Sequence, residues 1–83
     1  MKANATFQIN NGSDVLLRVI TIFTRYESYI EACSVVPDQT DETATLSIRF
    51  QCDPAKYTLL LKQVEKLIDV IETVEVVNLA DLQ

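Results

Sequence analysis

The groups best placed to bind something lie in one short polar run, Asn10-Asn11-Gly12-Ser13-Asp14, between an alternating stretch and an apolar one. If a helix starts after it, its exposed N–H groups and dipole favour a carboxylate. Asn11 to Val15 is then a candidate amino-acid pocket. An ordinary βα loop capped by Asp14 or Ser13 has the same composition. Three other groupings invite chemistry. Arg25-Tyr26 offers a guanidinium to a carboxylate, or to the negative end of a helix. Lys56, Lys62 and Lys66 suit an acidic partner or plain solvent. Asp38, Asp41 and Glu42 carry the oxygen ligands of a hard cation but lack the spacing of a calcium loop, so they read as a solvated hairpin tip.

Catalysis by this chain alone is disfavoured. It has no histidine, which removes the usual base, the Ser-His and Cys-His couples and the common zinc sites. Gly12 is the only glycine, so there is no phosphate loop or dinucleotide fingerprint. Cys33 and Cys52 are expected to be free, mostly buried thiols. In a hairpin of Ser28 to Val36 with Thr43 to Cys52, about the loop Pro37 to Glu42, they stand too far apart for a disulfide.

The elements that must position these groups are well marked. Ala5, Phe7 and Ile9 alternate with Thr6, Gln8 and Asn10, as in a half-buried strand. Leu16, Val19, Ile20 and Phe23 then share one face of a helix over Val15 to Tyr26. Tyr29 to Val36 is β-prone and stops at Pro37. Ala44, Leu46, Ile48, Phe50 and Cys52 alternate with Thr45, Ser47, Arg49 and Gln51. Asp53-Pro54 starts a second helix, with a capping carboxylate and a proline where its missing N–H is harmless. Its stripe Tyr57, Leu60, Leu61, Val64 and Ile68 carries it to Asp69, after which the β-branched run Val70 to Val77 reads as a strand.

Strand, helix, strand, strand, helix, strand is the order of an α+β, ferredoxin-like βαββαβ fold. Right-handed crossovers set both helices on one face of a four-stranded antiparallel sheet. The first and third strands are then central. The second and fourth are edges, apolar on both faces, and such edges invite pairing.

At 83 residues, 48% hydrophobic, the chain fits a single domain over 1–83 whose core supplies only modest stability, so association is expected. Its 12 acidic and 7 basic residues give a net charge of −5 with no basic cluster, which argues against nucleic acid. No apolar run is long enough to cross a bilayer, and Met1-Lys2-Ala3-Asn4-Ala5-Thr6 lacks the apolar core of a signal peptide. No membrane partner is expected, and the location expected is the cytoplasm.

Taken together, Asn11, Val15-Leu16, Phe23-Thr24-Arg25, Ile30-Glu31 and Gln63-Val64-Glu65-Lys66-Leu67-Ile68-Asp69-Val70 resemble the pattern of the ACT-domain regulatory (small) subunit of acetolactate synthase, or acetohydroxyacid synthase. The resemblance covers nearly the whole chain. It implies one ACT domain, dimerised through sheet edges, that binds and activates the large catalytic subunit of branched-chain amino-acid biosynthesis. Thiamine diphosphate, magnesium and FAD are expected on that partner and none on this chain. A branched-chain amino acid is the effector the resemblance implies, bound by Asn11, Gly12, Ser13, Asp14, Val15 and Leu16 with Tyr29 and Ile30. Two departures bear on it. Asp14 stands where the family usually has a glycine, so its carboxylate is expected to repel the ligand's and to cap the helix in its place. Tyr29 replaces a small asparagine, narrowing the pocket. Valine binding is therefore expected to be weak or absent and activation retained; the missing C-terminal extension of some relatives points the same way. The alternative is a free-standing ACT sensor of amino acids, and an enzyme built on Cys33 or Cys52 ranks far below both.

Overall fold

In the computed structural model, which describes residues 1–12 and 14–79, two strands pair along their whole length. β1 (Lys2–Asn10) runs antiparallel to β3 (Thr43–Gln51), with Lys2 opposite Gln51 and Asn10 opposite Thr43. The period of two sends Ala3, Ala5, Phe7 and Ile9 to the same face as Ala44, Leu46, Ile48 and Phe50, and all eight are buried. The edges are β2 (Tyr29–Pro37) beside β3 and β4 (Val70–Asn78) beside β1, in the order β2-β3-β1-β4. This is the expected βαββαβ sheet with central first and third strands.

Two helices cover the apolar face. α1 (Val15–Arg25) contributes Val15, Val19, Ile22 and Phe23, and α2 (Pro54–Glu65) contributes Leu60 and Val64. Phe23 meets Phe50 edge to face, ring centroids 4.9 Å apart, an arrangement worth about 0.5–1.5 kcal/mol beyond burial. Tyr57 stacks on the far side of Phe50 at 6.3 Å. Asp53 caps α2 as its sequence suggests, its Oδ1 accepting from the Ala55 N–H at 2.9 Å.

Several expectations need correction. The buried stripe of α1 includes Ile22 in place of Ile20, because the helix is rolled so that Val15 rather than Leu16 leads into the core. α2 ends at Glu65, not Asp69. Leu67 donates its N–H to Val64 O at 3.1 Å and Val70 to Leu67 O at 3.0 Å, closing a turn over 66–69. Leu67 packs on the core from this turn while Ile68 stands 93% exposed. Cys33 is exposed at mid-strand opposite Ile48, whereas Cys52 is buried; both thiols are free.

The apolar edges are interrupted. Val74 and Ile71 fall at two register shifts between β4 and β1, and Glu31 at one between β2 and β3. Bulges of this kind twist an edge away from indiscriminate pairing. Glu31 reaches the polar face instead, accepting from Gln51 Nε2 at 3.1 Å and lying 3.7 Å from Lys2 Nζ.

Two local devices close the frame. α1 ends in a Schellman arrangement, Glu27 N–H to Thr24 O and Ser28 N–H to Phe23 O, both at 3.0 Å. Its left-handed position is held by Glu27 at φ 56°, not by glycine. The β2–β3 hairpin is latched by Asp38, whose carboxylate accepts from Thr43 Oγ1 at 2.6 Å, from Thr45 Oγ1 at 3.3 Å and from the Gln8 side-chain amide. Hydrogen bonds from Thr43 first and Gln8 second hold the Asp38 carboxyl below its ordinary range.

Glu27→Gly is expected to raise stability by about 0.5–1 kcal/mol, read from the urea midpoint, since glycine takes a left-handed backbone without Cβ strain. A lower midpoint would contradict this. Asp38 binds its proton less readily folded than unfolded, so its contribution is present above the ordinary carboxylate pKa of about 3.9 and is lost as pH falls through the lower folded value. The stability difference between wild type and Asp38→Asn should therefore be constant near neutrality and shrink on acidification below about pH 4. Parallel denaturation curves from neutral to strongly acid pH check it.

Candidate functional site

Three connections meet at one end of the sheet: residues 11–14 between β1 and α1, 38–42 between β2 and β3, and 66–69 between α2 and β4. Backbone bonds sew them together. Asn10 donates its N–H to Asp69 O at 2.8 Å and Asn11 to Glu42 O at 2.9 Å. The Asn11 side-chain amide donates to Asp41 O at 2.9 Å. Gly12 lies against the start of α1, where a Cβ would stand 3.3 Å from Val15 Cγ2, a tight contact. Ser13 lies outside the described residues.

Asp14 does not cap α1. It occupies the N-cap position, at φ −106° and ψ −5°, and its carboxylate makes no hydrogen bond to the first helical N–H groups. It pairs with Arg18 one turn on, Oδ2 to Nη2 at 2.8 Å. A capping aspartate normally has extended backbone, as Asp53 has at ψ 128°. Asp14 is already helical, which points its carboxylate along the helix side. The other arm of the guanidinium reaches Asp69 Oδ2 at 3.4 Å, and Asn10 Nδ2 donates to Asp69 Oδ1 at 3.3 Å. Arg18 thus ties the β1–α1 loop to the α2–β4 turn. Neither Arg18 nor Asp69 stood out in the sequence; the i, i+4 spacing of Asp14 and Arg18 was the available signal.

The remaining expected effector residues separate. Val15 is buried, with its Cγ2 against Gly12, and Leu16 packs against the core, so their side chains serve the fold. Tyr29 and Ile30 lie at the opposite end of the sheet, across from Gln51 and Phe50. Lys2 and Asn10 are eight strand steps apart, about 27 Å. Tyr29 is 68% exposed and, within one chain, narrows nothing near Asn11. Asn11, Gly12, Asp14 and the start of α1 are the part of the predicted site that this chain brings together.

The electrostatics of that end are acidic. Asp14, Asp38, Asp41, Glu42 and Asp69 belong to the three connections, against Lys66 of the third and the guanidinium of Arg18. These carboxylates do not converge: among the described residues no three acidic, cysteine or histidine side chains are grouped as metal ligands. Elsewhere, Lys56 pairs with Glu27 at 3.5 Å, and Arg25 is exposed while Tyr26 packs on the core. Burial pushes both the Cys33 and Cys52 thiols up, away from the reactive thiolate. Among the described residues no helix is long and apolar enough to cross a membrane.

The chain can now be compared with known proteins. A family model described as the AHAS small subunit-like ACT domain matches residues 7–72. No curated protein sequence matches. The acetolactate synthase small subunit from Thermotoga maritima superimposes with a TM-score of 0.71 at 23% identity, covering 93% of this chain and 46% of that one. The ACT domain of GTP pyrophosphokinase from Chlorobium tepidum gives 0.74 at 13% identity, covering 93% and 97%. A homoserine dehydrogenase from Thiobacillus denitrificans gives 0.77 at 13% identity, covering 92% of this chain and 16% of the enzyme. At these identities the structures show a shared fold, and the chain spans less than half of the small subunit and about a sixth of the dehydrogenase. The family match takes in the end of β1, the loop that follows it, β2, β3, both helices and the start of β4, so the chain belongs to the family of AHAS small subunit-like ACT domains.

Proposed function

We propose that this chain is a non-catalytic regulatory domain that binds and activates the thiamine-diphosphate-dependent catalytic subunit of acetolactate synthase, in the cytoplasm, with weak or no response to valine. The observation that carries the reading is the family match over residues 7–72, which spans the folded core and the β1–α1 loop together. In this reading thiamine diphosphate, magnesium and FAD belong to the catalytic partner.

The effector prediction rests on charge. Valine's carboxylate, seated at the start of α1, would compete with Asp14 and Asp69 for Arg18. Two like charges about 4 Å apart repel by about 1 kcal/mol in water and about 4 kcal/mol near a protein surface. That lowers affinity by roughly five- to a thousandfold. A pocket shared by Asn11–Leu16 and Tyr29–Ile30 needs a second copy, because one chain holds them at opposite ends of the sheet. The exposed apolar residues Tyr29, Val36, Ile71 and Val74 of the edge strands support such a homodimer.

A second reading, a free-standing ACT sensor reporting to another protein, draws on the likeness to the ACT domain of GTP pyrophosphokinase. Two measurements separate them. Mixing the chain with an acetolactate synthase large subunit should give a complex with raised carboligase activity; no complex and no activation would overturn the proposal. Calorimetric titration with valine should give a Kd well above about 100 μM, and Asp14→Gly should tighten it at least about fivefold by removing the like charge. Tight valine binding by the unaltered chain, with no complex, would favour the sensor.

A further inference from the structure

From the loop end, where Arg18, Lys66 and Leu67 line it, to Arg25, the two helices leave a groove of about 390 Å³ between them. Its apolar surface comes from Leu17 and Ile22 of α1 and Leu67 of the turn after α2. Leu17 is 66% exposed, and Ile68, next in sequence to Leu67, is 93% exposed, so apolar surface continues past the mouth. Arg18, Arg25 and Lys66 also line it, and no carboxylate does. In a chain of net charge −5, three of the seven basic residues thus gather on one groove. Arg18 is largely spoken for by Asp14 and Asp69. Arg25 and Lys66 make no ion pair among the described residues.

We propose that this groove is the docking site for an acidic amphipathic helix of the catalytic partner, an inference that rests on the regulatory reading above. The occupant follows from charge and shape. Apolar walls take a row of aliphatic anchors, and two uncompensated cations on opposite walls take carboxylates flanking that row. From Leu17 to Arg25 is eight residues, about 12 Å along α1, the length of two helical turns with anchors at i, i+3 or i+4 and i+7. The groove is open along one side, which suits a helix laid in from solvent better than an enclosed small molecule. Arg25 and Lys66 are exposed, so altering them leaves the core intact.

The test measures the affinity of the full chain for the acetolactate synthase large subunit over a range of salt. The double substitution Arg25→Glu with Lys66→Glu should weaken binding at least about tenfold, and wild-type affinity should fall as salt rises. The control is Arg49→Glu with Lys62→Glu, which changes the net charge equally at exposed positions outside the groove and should bind within about twofold of wild type. Equal weakening by both doubles would show a non-specific charge effect and overturn the groove. Wild-type complex formation unaffected by Arg25→Glu with Lys66→Glu would overturn the groove while leaving the regulatory reading standing. Absence of any wild-type complex would sink both. Sedimentation of the chain alone should be the same for wild type and the groove double; a change of oligomeric state would identify a second copy as the occupant and overturn the partner assignment.

Discussion

The pairing of β1 with β3 is the constraint on which everything else depends. Its register sets small against large on the buried face: Ala3 opposite Phe50 at one end and Ile9 opposite Ala44 at the other. The alternation gives the two helices an uneven bed into which Phe23, Val19 and Leu60 fit, all fully buried. A slip of one residue would turn Phe7 and Ile9 to solvent and bring Gln8 and Thr6 under the helices. With a core of this size, no other contact in the molecule could offset that exchange. The register also fixes which connections meet at the Asn10 end, and so composes the loop cluster before any loop residue acts.

From that follows a division of charge. The connections at the Asn10 end carry five carboxylates and one lysine, Lys66, which with Arg18 and Arg25 also lines the α1–α2 groove. Arg18 belongs to both, with its guanidinium turned to Asp14 and Asp69 and its stem on the groove. An acidic chain with one locally basic groove presents opposite faces to an anionic small molecule and to an acidic protein segment. Carboxylates crowd the helix start, and cations line the groove between the helices.

Much of this was legible in the sequence, for physical reasons that vary by element. The central strands show strict alternation because each has one face buried and one wet, and the sequence must record both. Asp53-Pro54 marks the start of α2 since two independent chemical requirements coincide there. The end of α2 was misread because Ile68 continues the helical spacing while lying in a turn that no glycine or proline announces. In that turn Leu67, not Ile68, reaches the core. The roll of α1 was hidden by an apolar run, Val15-Leu16-Leu17 and Val19-Ile20, that permits more than one buried stripe. Tyr29 was set beside the loop by resemblance alone, whereas strand order and length place it at the far end of the same sheet. The bulges at Glu31, Ile71 and Val74 depend on pairing partners and leave no local pattern.

Magnitudes decide how Asp14 acts. Its ion pair with Arg18 joins side chains that are each 57% exposed, and such pairs contribute about 0–1 kcal/mol. The loop is therefore held chiefly by its backbone bonds, Asn10 to Asp69 and Asn11 to Glu42, which survive any change at position 14. It follows that Asp14 opposes an amino-acid carboxylate through its charge and not by locking the loop shut. Its carboxylate makes no hydrogen bond to the first helical N–H groups. The Asp14 charge thus sets the electrostatics of the helix start against an anion while leaving the backbone of the loop as it is.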